Sequence, residues 1–217
     1  MRFLITAGPT REHLDPVRFL SNPSTGKMGY ALAEAARTVA REVVLISGPT
    51  MLEPPAGVRV IPVVSAREMF AAVKRACDRC DVVLMSAAVS DYRPARTLRR
   101  KPKKSAQPQR LVLAPNPDIL AWLGRHRRKG RILVGFAAET HHLMANARAK
   151  LDRKRLDLIV ANDIQKPGAG FAGDTNQVIL LWRTGRVERL PRAGKKRVAN
   201  WIVQRVVHYA NLGPTKI

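Results

Sequence analysis

Cysteine is nearly absent: Cys77 and Cys80 are the two in 217 residues, too few for a disulfide framework. Such a chain is expected in a reducing cytoplasm. Long apolar runs are missing as well. No stretch approaches the length of a membrane span, and the N-terminus passes straight into a strand with no secretory leader, so neither membrane insertion nor export is expected. Acidic residues are scarce, 16 Asp+Glu against 39 Lys+Arg. The formal net charge of +23 turns the chain toward acidic partners: nucleotides, phosphorylated metabolites or nucleic acid. Solvated arginines on helix faces account for such a charge equally well.

Several signatures of chemistry are also missing. There is no G-x-S-x-G nucleophile elbow. Gly26-Lys27-Met28 is only a fragment of a phosphate-binding P-loop, because Ser21 sits where its first glycine belongs and Met28 replaces the hydroxyl residue that would hold magnesium. Gly8 and Gly26 flank a long insert, where the dinucleotide fingerprint needs a tight turn. Cys77-Asp78-Arg79-Cys80 falls at a helix end before a strand, whereas a redox pair follows a strand at a helix start; structural cysteines are expected, and no second pair exists for zinc.

What is present is an alternation of apolar strands and amphipathic helices, with 46% hydrophobic residues to build a core. Strands are expected at 3–7, 43–46, 58–63 (an edge, from Pro62), 82–85, 111–113, 132–137 and 156–161, and helices at about 26–39, 66–79, 116–127, 142–155 and 195–210. Asn116 reads as an N-cap with Pro117 at the first helical position. Arg183-Thr184-Gly185 marks a hairpin between 177–182 and 185–190, after a glycine-rich loop at 166–173. Together these predict a single α/β domain over 1–217: a Rossmann-like, mainly parallel sheet with helices on both faces, plus a C-terminal hairpin.

Three segments point to anions. Between the first strand and helix runs a long loop rich in donors, Thr10, Arg11, Arg18, Ser21, Asn22, Ser24, Thr25 and Lys27, and a glycine-started helix follows it. Residues 93–108 form a basic, proline-punctuated loop beyond a strand's carboxyl end, the usual ligand crevice. Its one nearby aromatic, Tyr92, is too little for a stacking series on single-stranded nucleic acid. Lys150 and Lys154 share one helix face with no acid four residues before either, which leaves an external anion as a partner.

The pieces ITAGPTREHLDPVRFLSN (5–22), STGKMGYALAEAA (24–36), MSAAVSDYRP (85–94), KPKK (101–104), PNPDIL (115–120), VGFAAET (134–140), KLDRKRLDLIVAND (150–163) and GDTNQVILL (173–181) follow one another in order. In these the chain resembles the phosphopantothenate–cysteine ligase family. Pro9 and Pro23 depart from its usual glycine and arginine or histidine, and both stiffen the first loop. The resemblance implies a ligase of coenzyme A biosynthesis. The carboxylate of 4′-phosphopantothenate attacks a nucleotide triphosphate, giving an acyl nucleotide and pyrophosphate, and the cysteine amine then displaces the monophosphate. CTP is the expected co-substrate over ATP, with Mg²⁺ (or Mn²⁺). No flavin is expected, since no decarboxylase segment precedes this one. A homodimer is implied.

By the same resemblance, Asn22 and Arg18 handle the acyl group and Lys101 is a flap lysine. Met85, Ser86 and Ala87, with Pro117, Asp118, Ile119 and Leu120, form the nucleotide-binding backbone, with Phe136 beside the base or ribose. Asp91 holds the magnesium, and Lys150 and Lys154 grip phosphates. Two other readings stay open at this point: a Rossmann-type NAD(P) enzyme, and a basic protein that binds nucleic acid.

Overall fold

The computed structural model describes residues 1–139, 142–163 and 173–212. The chain begins with β1 (Arg2–Ala7), a small hairpin of β2 (Arg11–His13) and β3 (Phe19–Ser21), then α1 (Lys27–Arg37). Next come β4 (Glu42–Ser47), β5 (Arg59–Pro62), α2 (Ala66–Ala76) and β6 (Val82–Met85). A second ribbon, β7 (Tyr92–Pro94) and β8 (Leu113–Pro115), precedes α3 (Ile119–Arg125), β9 (Ile132–Glu139), α4 (Leu143–Arg153) and β10 (Leu158–Asp163). The described chain ends with β11 (Thr175–Asn176), β12 (Val178–Trp182), β13 (Val187–Arg189), β14 (Ala193–Gly194) and α5 (Lys195–Leu212).

Eight strands form the central sheet in the order β13-β12-β10-β9-β6-β1-β4-β5, parallel from β10 to β5 and antiparallel at β12 and β13. This is the Rossmann-like α/β fold, with the C-terminal hairpin as its antiparallel edge. β5 is the other edge, as its proline requires. The inner strands are apolar on both sides because both faces are covered. Phe3, Ile5, Leu45 and Val134 pack under α1 and α5 with Leu32, Val198, Ile202 and Val206. Leu4, Ile46, Val83 and Leu133 pack under α2, α3 and α4 with Met69, Val73, Leu123 and Leu151. Each such side chain contributes roughly 1.5–3 kcal/mol by leaving water.

Several boundaries differ from the sequence expectation for identifiable reasons. The donor-rich first loop contains the β2–β3 hairpin, which the apolar period does not reveal in strands this short. It is tied to α2 by Arg11 N–H donating to the Val64 carbonyl (2.8 Å) and by Glu12 Oε1 accepting from Ala66 N–H (2.9 Å). Asn116 is not a helix cap. Asp118 caps α3 by accepting from Ala121 N–H (2.9 Å), while Asn116 Nδ2 donates to the Ser90 carbonyl (2.9 Å). The strand expected at 111–113 lies two residues later, as β8 paired with β7. The glycine-rich loop falls outside the described residues except for Gly173.

The two cysteines are free and buried beneath the end of α2. Burial raises the Cys77 thiol, against the opposing pull of Arg131, and pushes the Cys80 thiol to about 11. Neither carries a thiolate at neutral pH, as packing cysteines should not.

The two small ribbons form an arm. Ala95 N–H donates to the Val112 carbonyl (2.9 Å), closing the base of the basic loop. Leu98 N–H donates to the Leu14 carbonyl (2.8 Å) and the Thr97 hydroxyl to the His13 carbonyl (3.0 Å), fastening that base to the β2–β3 hairpin.

Candidate functional site

From β1 the chain moves outward to β4, while β6 leads the other way to β9, so the strand order reverses between β1 and β6. Such a reversal opens a crevice at the strands' carboxyl ends. Here both exits are pinned. Ser86 Oγ donates to the Thr6 carbonyl (2.7 Å), Ala87 N–H to the Thr6 hydroxyl (3.2 Å), and Ala88 N–H to the Gly8 carbonyl (2.9 Å). Asn22 arches over from the end of β3, its Nδ2 donating to the Ala88 carbonyl (3.1 Å). α1 then starts at Gly26, whose φ of 78° is left-handed and needs glycine.

The crevice has a volume of about 280 Å³ and runs from Asn22 and the start of α1, past Ser86–Val89, to Phe136 and Lys150. A second cleft of about 160 Å³ adjoins it through Ala87, Val89, Asp91, Phe136 and Lys150, and reaches Met85, Pro117, Asp118, Ile119, Leu120 and Lys154. The expected residues of the nucleotide side therefore do come together. Met85 is a buried floor whose sulfur accepts from the Thr6 hydroxyl. Phe136 is half-buried between the two clefts, and its carbonyl accepts from Lys150 Nζ (3.0 Å).

Three residues are placed differently from the expectation. Lys154 does have an acid partner, from another helix: its ammonium meets Asp118 Oδ2 at 2.9 Å and Oδ1 at 3.0 Å. Spacing along one helix could not reveal a partner on α3. Arg18 lines neither cleft. Its guanidinium holds the fully buried Asp15 carboxylate (both contacts 2.7 Å), which also accepts from the Val17 and Arg18 N–H groups. Burial raises the Asp15 carboxyl, but these donors outweigh it and leave it below the usual range. Lys101 sits in the exposed loop of the arm and lines neither cleft either.

The Asp118–Lys154 pair gives a test by pH. Burial raises the Asp118 carboxyl, yet the Ala121 N–H and the two lysines overcome it and set it below its ordinary value. A depressed folded value means the stabilisation is present above the ordinary carboxylate pKa of about 4 and lost as pH falls through the folded value. Asp118→Asn is expected to lower stability at pH 7 by about 0.5–1 kcal/mol, since Asp118 is half exposed and screened. Between pH 6 and 3 its melting temperature should fall less steeply than the parent's.

The back wall of the crevice was not legible as a site. Lys27 Nζ meets Asp174 Oδ1 at 2.6 Å, and Asn162, Asn176 and Lys195 line the same space. Lys195, buried at the start of α5, has its ammonium pulled down first by burial and then by Lys27, with Asp174 opposing. The GDTNQV segment was visible in the sequence, but nothing in its spacing announces that it faces the first loop.

As for a metal, no group of three or more His, Cys, Asp or Glu suited to hold an ion occurs among the described residues. Among the described residues Asp91, exposed on the rim, is the cleft carboxylate that no ion pair engages, whereas Asp118 is held by Lys154. One carboxylate suits Mg²⁺, which takes most of its remaining ligands from substrate phosphates and water.

Fold and crevice together define a Rossmann-like α/β domain with a crevice at its strand reversal lined by Lys27, Lys150 and Lys195. The pattern of the DNA/pantothenate metabolism flavoprotein C-terminal domain matches residues 1–209. The chain is 49% identical over 204 residues to the coenzyme A biosynthesis bifunctional protein CoaBC of Bacillus subtilis, covering 94% of this chain and 50% of that one. It thus spans about half the length of the curated relatives it matches. The crystal structure of a CoaBC C-terminal domain superposes with a TM-score of 0.83 at 41% identity, covering 98% of this chain and 96% of that one. A mutant of Cab2 in complex with phosphopantothenate-cysteine shares the fold, with a TM-score of 0.79 at 19% identity over 97% of this chain and 86% of that one. The chain belongs to the phosphopantothenate–cysteine ligase family, through the domain that forms the C-terminal half of the bifunctional proteins.

Proposed function

We propose that this chain is a phosphopantothenate–cysteine ligase domain, acting in the cytoplasm in coenzyme A biosynthesis. The observation that carries the reading is the crevice at the β1/β6 reversal. It joins a helix start and the Asn22 loop on one side to Asp91, Lys150 and the Asp118–Lys154 pair on the other. One ligand with a carboxylate and one with phosphates can meet between them.

In this reading the 4′-phosphopantothenate carboxylate displaces pyrophosphate from the α-phosphate of CTP, forming an acyl cytidylate. The cysteine amine then attacks the acyl carbon and expels CMP, losing its proton to solvent. Nucleotidyl transfer of this kind asks for positioning and charge neutralisation and needs no nucleophilic side chain. Met85, Ser86 and Ala87 and the start of α3 would seat the nucleotide, and Lys150 would neutralise phosphate. Asp91 would hold Mg²⁺, which neutralises phosphate charge when bound. Asn22 would orient the acyl group, while Arg18 would act through Asp15 by fixing the hairpin that delivers Asn22. Purified protein with phosphopantothenate, cysteine, Mg²⁺ and either triphosphate should release pyrophosphate in step with amide product, faster with CTP. Failure to form any cysteine adduct would overturn the reading.

Lys101 would reach the crevice only when its loop closes over bound acyl nucleotide. Lys101→Gln is expected to lower turnover at least tenfold without moving the melting temperature, because an exposed side chain contributes little packing. Limited proteolysis checks the closure: cleavage within 93–108 that substrates do not slow would sink it.

A homodimer through the arm is supported by its apolar surface. Val17, Phe19, Tyr92, Leu98, Leu111, Val112 and Leu113 are all exposed there, Val112 at 71%. A patch of this kind marks an interface. Val112→Asp should convert dimer to monomer by light scattering; a parent that is itself monomeric would remove the proposal.

A further inference from the structure

The crevice occupies the carboxyl end of the central sheet. At the opposite end, where β1, β4 and β5 begin, the last turns of α2 roof a separate cavity of about 610 Å³. It shares no lining residue with either cleft of the site. Buried Phe3, Val44 and Ala72 give it an apolar floor. Around that floor Arg2 comes from β1, Arg59 from β5, Arg75 from α2 and Arg79 from the turn after α2. The one carboxylate in the lining, Glu42, lies 3.7 Å from Arg2. Among the described residues Arg59, Arg75 and Arg79 enter no ion pair. The acids nearby are already matched: Asp81 with Arg128 (3.1 Å), and Asp78 with the buried Arg131 (3.4 Å). Arg131 Nε donates to the carbonyl of Cys80 (3.4 Å), itself a lining residue, so a further guanidinium stands behind the wall.

Ordinary roles cover these arginines one at a time. A basic residue in the last turn of a helix, as Arg75 is, complements the helix dipole. A charge on an edge strand, as Arg59 is, discourages pairing with another sheet. Neither role asks the two to face one concavity together with Arg79. Like charges gathered over an apolar floor focus a positive potential in the cleft. Guanidinium groups hold their charge at any physiological pH and match phosphate oxygens in pairs. We infer that this cavity is a second ligand site, for a small molecule bearing two or more phosphate groups. More than one phosphate is called for because three guanidinium groups stand without counter-charge. The volume falls within the range of small-molecule sites, roughly 300–1,000 Å³, and a concave space of that size does not admit a nucleic-acid duplex. The inference is independent of the ligase reading.

Calorimetric titration with inorganic tripolyphosphate tests it, at about 0.15 M salt, where attraction beyond about 8 Å is screened. Arg59→Gln/Arg79→Gln should weaken one binding event at least tenfold. Lys150→Gln, in the crevice, should leave that event within twofold. So should Arg183→Gln/Arg189→Gln, which removes the same charge from exposed positions at the other edge of the sheet. Inorganic monophosphate should bind at least tenfold more weakly than tripolyphosphate. All the arginines replaced are exposed, so the melting temperature should not move. Equal weakening by the two double variants would reduce the effect to diffuse charge and overturn the site. A parent whose tripolyphosphate binding is abolished by Lys150→Gln overturns it as well. Tighter binding of a single-stranded oligonucleotide, lost in Arg59→Gln/Arg79→Gln, would overturn the small-molecule assignment in favour of a polynucleotide.

Discussion

Asn22→Asp is expected to release pyrophosphate once, accumulate acyl nucleotide and fail to join cysteine. One N–H of the Asn22 amide is held by the Ala88 carbonyl at 3.1 Å, which fixes the side chain at the crevice mouth. An amide has a second N–H and an acceptor oxygen beyond that bond. Phosphate contacts are available from other residues, Lys150 among them, so the first half-reaction has little need of Asn22. The second develops negative charge on the acyl oxygen, and a carboxylate there would repel it. Loss of one such donor typically costs on the order of 3 kcal/mol of transition-state stabilisation, about a hundredfold in rate. The substitution also sets a carboxylate against the Ala88 carbonyl, so an Asn22 that merely latches its loop would depress both half-reactions and the melting temperature. Rapid quench with mass spectrometry separates the two: a stably folded variant with no trapped acyl nucleotide removes this role for Asn22.

Gly48→Ala should be the most destabilising single methyl that can be added near the crevice. A Cβ at this position would stand 1.8 Å from the Pro9 carbonyl oxygen and 2.8 Å from its carbon. Both are backbone atoms and cannot rotate away. Nor can Pro9 retreat, since it bridges to Ala88 and the next residue donates its N–H to the Ala88 carbonyl (3.3 Å). Overpacking of this kind costs roughly 3 kcal/mol or more, a fall of about 6–12 °C in melting temperature for a chain of this size. Displacing Pro9 also shifts Ala88 and with it Asn22, so activity per folded molecule should drop as well. A melting temperature within about 2 °C of the parent's would show that the loop yields more easily than its hydrogen bonds imply.

How much of this could be read beforehand follows from what each signal reports. Runs such as Val43–Ile46 and Val82–Met85 announced buried parallel strands because both faces of the sheet are covered. The C-terminal hairpin was legible from Gly185, which takes a φ of 95° at the turn. The β2–β3 and β7–β8 ribbons were not, since three-residue strands carry no period and are held by cross-chain bonds such as Glu12 to Ala66. At the site, what was legible is that stretches 85–94 and 115–120, expected to act together, line one cleft. What failed was pairing between distant elements: Lys154 with Asp118, and Lys27 with Asp174. Contacts across 36 to 147 residues lie outside any local window.

The bonds from Leu98 to Leu14 and from Thr97 to His13 have a mechanical consequence. They weld the root of the loop bearing Lys101 to the hairpin whose last strand delivers Asn22. In the closure proposed above, lid and latch would be one lever. A displacement of that loop's root would be felt at Asn22 without passing through a bound ligand, and the two could not be tuned apart by changes at the loop tip. Relaxation measurements on the arm should yield a single exchange rate shared by residues around 98 and around 20, and lengthening the loop beyond Leu98 should change the rates at both places together.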